Sequence, residues 1–428
     1  MSSATSVTPS LVTGLRCADC GATFAPAYLL GCPACGGVPV VEYDAAGVAA
    51  LDLAELAGPG IWRYAPLLPI VDPADRVTLG EGATPLLAAP RLGARLGLRD
   101  VWLKFEGANP TGSMKDRSSA TAVAAARHFG FNQIGTVSSG NMGASIASYA
   151  ARAGLRAFVF AAEYASASQR AHMDAATADF FVYPGEFDVM ARAFRRLVDE
   201  RTLFDGGTSL NPFNGEGLKT LAFEVVGQFG GHSPDVMVYP VGAGDLLLNV
   251  QRGFDLLART GHTEGVPVPI VAQSEAAAPL VDALRTGGPV TKRRAWRSIA
   301  GGVVVGDLGR KGELALREVT GRGGAGGTAT DAEILAWQAT LARLEGVWAG
   351  PTACVVLPVL AKLAAGGAIH PDARVVVVLS ETGLKSDAAV VPPRTIEPTE
   401  RALRAVIGAP PTTRGASLAE NSGPKPQC

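Results

Sequence analysis

Short apolar runs alternate with longer Ala-rich helical patterns through most of this chain, and that alternation restricts the fold more than any other feature. Val101-Trp102-Leu103 precedes a turn and then the helix-prone segment 116–128. Gly135-Thr136-Val137 leads into 141–153, and Ala157-Phe158-Val159-Phe160 into a helix around 168–176. Val236-Met237-Val238-Tyr239 leads into 246–258, and the run Val375 to Leu379 comes last. Strands alternating with helices predict βαβ units, parallel sheets and right-handed crossovers. In such sheets, ligands bind beyond the carboxyl ends of the strands, beside helix N-termini.

At 428 residues, the chain exceeds what one hydrophobic core usually supports. The net charge of −1 and the lack of long Lys or Arg runs argue against nucleic acid or an anionic membrane as partner. No apolar run is long enough to span a bilayer. The N-terminus lacks the basic and apolar regions of a secretion signal, so a cytoplasmic location is expected.

Four of the six cysteines form two C-x2-C pairs, Cys17/Cys20 and Cys32/Cys35, each followed by a glycine, Gly21 or Gly36. Paired knuckles of this kind bring four thiolates to a tetrahedral Zn²⁺, and a site with all four positions filled is structural. Two disulfides or free thiols are the competing readings, and disulfides are disfavoured without a secretion signal. Cys354 reads as a small core residue and Cys428 as a tail thiol. The glycine-rich stretch 321–327 reads as a surface loop with no preceding strand.

Three loops carry the chemistry, each after a predicted strand. In Asn109 to Ser118, Pro110 and Gly112 enforce a turn, Ser113 can cap, and Lys115 falls at the mouth of a helix. A positive helix end and partial burial both lower an amine's pKa, which suits a Schiff-base lysine. Ser138-Ser139-Gly140-Asn141 sets hydroxyls and an amide at a helix start, a place that suits a carboxylate. In Gly242-Ala243-Gly244-Asp245, two glycines let backbone amides curl round a phosphate.

In this order the motifs resemble threonine synthases and, more broadly, the tryptophan synthase β-like, fold type II pyridoxal-phosphate enzymes. The likeness runs from about Leu15 to Asp387. It includes Glu81 to Leu86, the lysine signature Asn109 to Arg117, Ser138 to Asn141, Asn211-Pro212-Phe213, Glu216 to Thr220, Pro240 to Gly244 and Leu379 to Lys385. The cysteine ribbon also precedes the catalytic domains of many threonine synthases.

The resemblance implies an α/β fold of two three-layer αβα domains with parallel-rich sheets behind a zinc ribbon. The implied segments are a flexible lead 1–14, the ribbon 15–43, a large cofactor domain 44–120 with 236–390, a small domain 121–235, and a Pro-rich, partly disordered tail 391–428. Lys115 would hold pyridoxal 5′-phosphate as a Schiff base, and Asn141 would bond its ring hydroxyl. The amides of Gly242, Ala243, Gly244 and Asp245 would take its phosphate, and Ser380 would face its ring nitrogen. Ser138, Ser139 and the amides near Met142 would hold the substrate carboxylate. A homodimer is the family's common assembly.

Several positions depart from the family pattern. Asn214 stands where the family has an Arg that binds the substrate phosphate, and Met142 where it has Thr. Asp245 and Leu246 replace Gly-Asn, and Gly350 replaces the Glu before Pro. Losing a phosphate ligand weakens recognition of O-phosphohomoserine. The readings are therefore elimination or replacement at the β or γ carbon of an amino acid, either threonine synthesis or a diverged activity of the cysteine or cysteate synthase type. A catalytically silent sensor of cofactor or amino acid, and a ribbon contacting nucleic acid, are the readings from other classes.

Overall fold

The computed structural model describes residues 10–407 apart from 71, 139, 163–164, 178, 185–186, 208–210 and 387–394. The chain forms two units, Met1–Ser386 and Asp387–Cys428. Of the second, residues 395–407 are described, with a helix Glu400–Ile407 inside the segment expected to be a tail; the last twenty residues lie outside the described set.

The strands are β1 (Val12–Cys17), β2 (Thr23–Phe24), β3 (Pro39–Tyr43), β4 (Leu86–Ala88), β5 (Asp100–Phe105), β6 (Gln133–Ser138), β7 (Arg156–Ala162), β8 (Asp179–Tyr183), β9 (Phe204–Asp205), β10 (Val236–Pro240), β11 (Val268–Ser274), β12 (Ala325–Ala329) and β13 (Arg374–Leu379). They build three sheets: β2-β1-β3; a six-stranded sheet ordered β12-β11-β10-β13-β5-β4; and a four-stranded sheet ordered β8-β7-β6-β9. The four-stranded sheet is parallel, and the six-stranded one is parallel except for edge strand β4. Every residue of β10 and of Val375–Leu379 is buried, as expected of strands covered by helices on both faces.

Two expectations change. Strand β1 starts at Val12, inside the segment read as a lead, because Val12 to Cys17 pair with β3 along the ribbon. The glycine stretch is not a loop throughout: Ala325–Ala329 is edge strand β12, parallel to β11. Its glycines permit close packing, since a Cβ on Gly324 would lie 2.3 Å from the Pro269 carbonyl and one on Gly326 2.6 Å from Val271. Among the described residues, no helix is long and apolar enough to cross a membrane.

Helix α1 (Lys115–His128) packs against α2 (Asn141–Ala153) and α4 (Pro212–Gln228), with α3 (Ala167–Ala176) lying on α2 and α5 (Asp245–Arg259) on α4. Where α1 meets α4, a Cβ on Gly217 would stand 1.9 Å from the Arg117 carbonyl, so only glycine allows this approach. The Arg117 side chain beside it is fully buried. Its Nε donates to Glu106 Oε2 at 2.7 Å; Nη1 donates to Thr220 Oγ1 at 2.9 Å and Glu224 Oε1 at 2.7 Å; Nη2 donates to Glu106 Oε1 and Glu224 Oε2, both at 2.8 Å. Lys104 Nζ, also buried, takes Glu224 Oε2 at 2.8 Å and the Thr84 carbonyl at 2.9 Å.

Burial raises the Glu224 carboxyl's pKa, but Arg117 and Lys104 outweigh that and bring it down to about 2. A carboxylate held below its ordinary 4.5 stabilises the fold above that pH, and this contribution is lost as pH falls from 4.5 toward 2. Unfolding free energy, measured by urea titration, is therefore expected to decline over that interval. Replacing Arg117 by Met leaves two carboxylates buried without their partner and should cost about 3–5 kcal/mol in the same measurement at pH 7; a loss below about 1 kcal/mol would show the network to be dispensable.

Candidate active site

The loops that follow β5, β6, β10 and β13 meet at the carboxyl ends of their strands. Lys115 is the first residue of α1 and half-buried. Burial pushes its pKa down and Lys311 adds to this, while Asp245 and Glu381 oppose it. One amine thus feels the charges of three other segments, those of residues 245, 311 and 381. The Met114 amide donates to the Ser380 carbonyl at 2.9 Å, fastening the lysine loop to the end of β13. Ser113, expected as a cap, does not act as one: its hydroxyl is buried with no partner among the described residues, which also give α1 no side-chain cap.

Asp116 is buried beside Lys115 and accepts from the Thr111 amide (2.6 Å), Thr111 Oγ1 (2.5 Å) and Ser145 Oγ (2.6 Å). Burial raises its pKa despite these bonds. It holds the turn before Lys115 and ties α1 to α2.

At the second loop, Ser138 Oγ accepts from the amides of Gly140 (3.1 Å) and Gly143 (2.9 Å). That hydroxyl shapes the turn, and the Asn141 and Met142 amides remain as donors at the start of α2. Ser139 lies outside the described residues. The Met142 side chain turns toward α1, with its sulfur 3.7 Å from Ser119 Oγ. Asn141 donates to Glu381 Oε2 and accepts from Gln169 Nε2 at 3.2 Å.

At the third loop, Gly244 is left-handed (φ 94°) and α5 begins with no side-chain cap. A Cβ on Gly242 would lie 2.7 Å from the Gly302 carbonyl. The Asp245 carboxylate is turned onto Lys311, at 3.1 and 3.2 Å, which offsets its charge beside an anion-binding turn. An uncapped helix start with a left-handed glycine is suited to a phosphate. Ser380 is 4% exposed, and its hydroxyl makes no hydrogen bond with a described residue. With a half-buried amine, a neutral hydroxyl and a phosphate cradle, these residues fit pyridoxal phosphate.

Asn214 is buried, and its Nδ2 donates to the Asp205 carbonyl at 3.1 Å. Residue-by-residue reading missed Glu381 and Lys385. Glu381 is 5% exposed and accepts from Asn141 and, at 3.2 Å, from the Thr352 amide. Its carboxylate fills the space above Gly350, where a Cβ would lie 2.5 Å from Oε1. The missing Glu at position 350 was the available signal, since a glycine there makes room for another acid. Lys385 Nζ is buried with no hydrogen bond to a described residue; burial pushes its pKa down against the pull of Asp116 and Glu381.

The packing of Glu381 on Gly350 is testable by a double-mutant cycle. Gly350→Ala should lose about 1–3 kcal/mol in chemical unfolding through overpacking, and adding Glu381→Ala should cancel much of that loss. Additive effects would mean that the two residues do not compete for one space.

Residues 77–381 match the family model described as pyridoxal-phosphate dependent enzyme. Among curated relatives, the threonine synthase of Methanosarcina acetivorans is 33% identical over 384 residues, covering 88% of this chain and 93% of that protein. The threonine synthase of Methanocaldococcus jannaschii is 32% identical over 381 residues, covering 88% and 94%. Among solved structures, maize serine racemase superposes with a TM-score of 0.59 at 18% identity, covering 70% of this chain and 88% of that one. The threonine deaminase of T.th. gives 0.56 at 24% identity, covering 72% and 94%. These two likenesses concern the fold. With residues 77–381 matched by the family model and 88% of the chain covered by these relatives, this chain belongs to the pyridoxal-phosphate dependent enzymes, as a fold type II lyase akin to the threonine synthases.

Proposed function

We propose that the chain carries out elimination or replacement at the β or γ carbon of an amino acid bearing a leaving group, with Lys115 as the lysine that bonds the cofactor. The observation that carries this reading is the meeting of Lys115, Asn141, the Gly242–Asp245 turn and Ser380 at the carboxyl ends of four strands. Once bound, pyridoxal phosphate supplies an electron sink for carbanions at the substrate's α carbon.

The protein's own groups supply the rest. Burial lowers the Lys115 pKa against the pull of Asp245 and Glu381, a shift in the direction that suits an amine taking a proton from carbon. The amides of Gly242, Ala243, Gly244 and Asp245 hold the phosphate, and Asn141 bonds the ring hydroxyl. Ser380 offers the ring nitrogen a hydroxyl and no counter-charge. That makes a weaker electron sink than a carboxylate partner would, and favours loss of a leaving group over transamination. The amides from Ser138 and Ser139 to Met142 take the substrate carboxylate.

The relatives named threonine synthase support O-phosphohomoserine as substrate. A second reading, β-replacement of the cysteine or cysteate synthase type, is favoured by Asn214, whose amide is committed to the Asp205 carbonyl. Product analysis by mass spectrometry with phosphohomoserine, phosphoserine, O-acetylserine, serine and threonine, each with and without sulfide or sulfite, separates the two. Lys115→Ala should abolish turnover and the visible absorbance of the loaded protein; retained turnover would refute the assignment. Asn214→Arg should raise turnover of phosphohomoserine.

The four ribbon sulfurs lie within 4.8 Å of one another, with Cys17–Cys35 at 3.6 Å and Cys20–Cys32 at 3.7 Å. A tetrahedral Zn²⁺ with bonds of about 2.3 Å separates its sulfurs by about 3.8 Å. Amides of Asp19 and Gly37 point at Cys17 and Cys35 Sγ at 3.4 and 3.3 Å. We read this as a structural Zn²⁺ site. Elemental analysis should find one zinc per chain, and strong chelation should lower the thermal midpoint without bleaching the cofactor.

A further inference from the structure

A cavity of about 250 Å³ lies between the ribbon and helices α4 and α5. Its charged lining is Arg16, Lys219, Arg252 and Arg259 against Glu42 and Asp255, an excess of two positive charges. The carboxylates are already committed. Glu42 holds Arg16 at 2.8 Å, and Asp255 meets Arg322 at 3.4 Å. Lys219 is paired with Glu216 at 2.8 Å, and Tyr43 of the ribbon also donates to Glu216.

That leaves Arg252 and Arg259 with no hydrogen bond or ion pair to any described residue. Arg259 is exposed, but Arg252 is half-buried, and burial pushes its pKa down against the more distant pull of Glu216, Glu318 and Asp245. A partly desolvated guanidinium with no carboxylate in hydrogen-bond reach has donors left to satisfy, and its planar fork suits an oxyanion. The volume falls below the about 300–1,000 Å³ of sites for drug-sized ligands, which restricts the occupant to something compact.

From this geometry, we propose that the cavity is a binding site for a small dianion, a phosphate monoester or a dicarboxylate, with Arg252 and Arg259 as its ligands. The site is separate from the cofactor loops. It joins the ribbon to α4, the helix that supplies Thr220 and Glu224 to Arg117, and to α5, whose start forms the proposed phosphate cradle. A ligand there is placed to act as an effector.

Calorimetric titration of the cofactor-loaded protein with inorganic phosphate and with succinate, against potassium chloride at matched ionic strength, tests this. Either dianion should bind and raise the thermal midpoint above the chloride control; which one does so identifies the ligand class. Arg252→Gln should weaken that binding at least tenfold. Arg259→Glu, at an exposed position, should do the same while leaving the visible spectrum of the cofactor unchanged. The proposal is overturned if neither dianion exceeds chloride, or if the signal survives Arg259→Glu, which would place it at another site.

Discussion

Burying a guanidinium is tolerable only when its donors and its charge are answered, and Arg117 sets that requirement at the centre of this molecule. Its carboxylate partners come from the end of β5 and from α4. Thr84 joins them from the segment before β4, with its hydroxyl 3.2 Å from Nη2. Satisfying one side chain therefore fixes three segments far apart in sequence. Arg117 lies two residues beyond Lys115, so the same bonds hold the start of α1 where the reactive amine is needed. The Glu81 to Leu86 motif belongs to this structure: Glu81 accepts from Tyr149 at 2.7 Å, and the Ala83 amide donates to Glu224 at 2.8 Å. Its residues are supports for the site.

The site is an exercise in balanced charge. Asp245 would oppose a phosphate at the start of α5, and Lys311 answers it. Asp116 is kept in place beside Lys115 by two hydroxyls and an amide. Glu381 shares the charge balance around Lys115 and also grips Asn141, while Gly350 gives it room. Each compensating partner comes from a different segment. An isolated substitution at one of these positions therefore disturbs a pair, and sequence departures that look adverse singly prove to be matched.

Much of this was legible beforehand. The segment 141–153 read from composition is the helix Asn141–Ala153, and 246–258 lies within Asp245–Arg259. The cysteine pairs converge, and Cys354 is buried in the core. The misreadings share a cause. The glycines of 321–327 looked like a loop because a local reading weighs backbone freedom; the Pro269 carbonyl and Val271 that require small residues there lie on another strand. Ser113 looked like a cap by position, but the uncapped start of α1 adjoins the residues that the cofactor would reach.

Sequence by itself determined the elements and their chemistry: strands with buried runs, glycines at strand ends, a lysine at a helix mouth and two cysteine knuckles. These follow from local rules of periodicity and spacing. Only the tertiary structure decided which charges neutralise which. Arg117 with Glu106 and Glu224, Asp245 with Lys311, Glu381 above Gly350, and Arg252 without an ion pair among the described residues all depend on distances across the sheets and helices. Electrostatic and steric terms act through space over a few ångströms, and a linear order of residues does not carry that information.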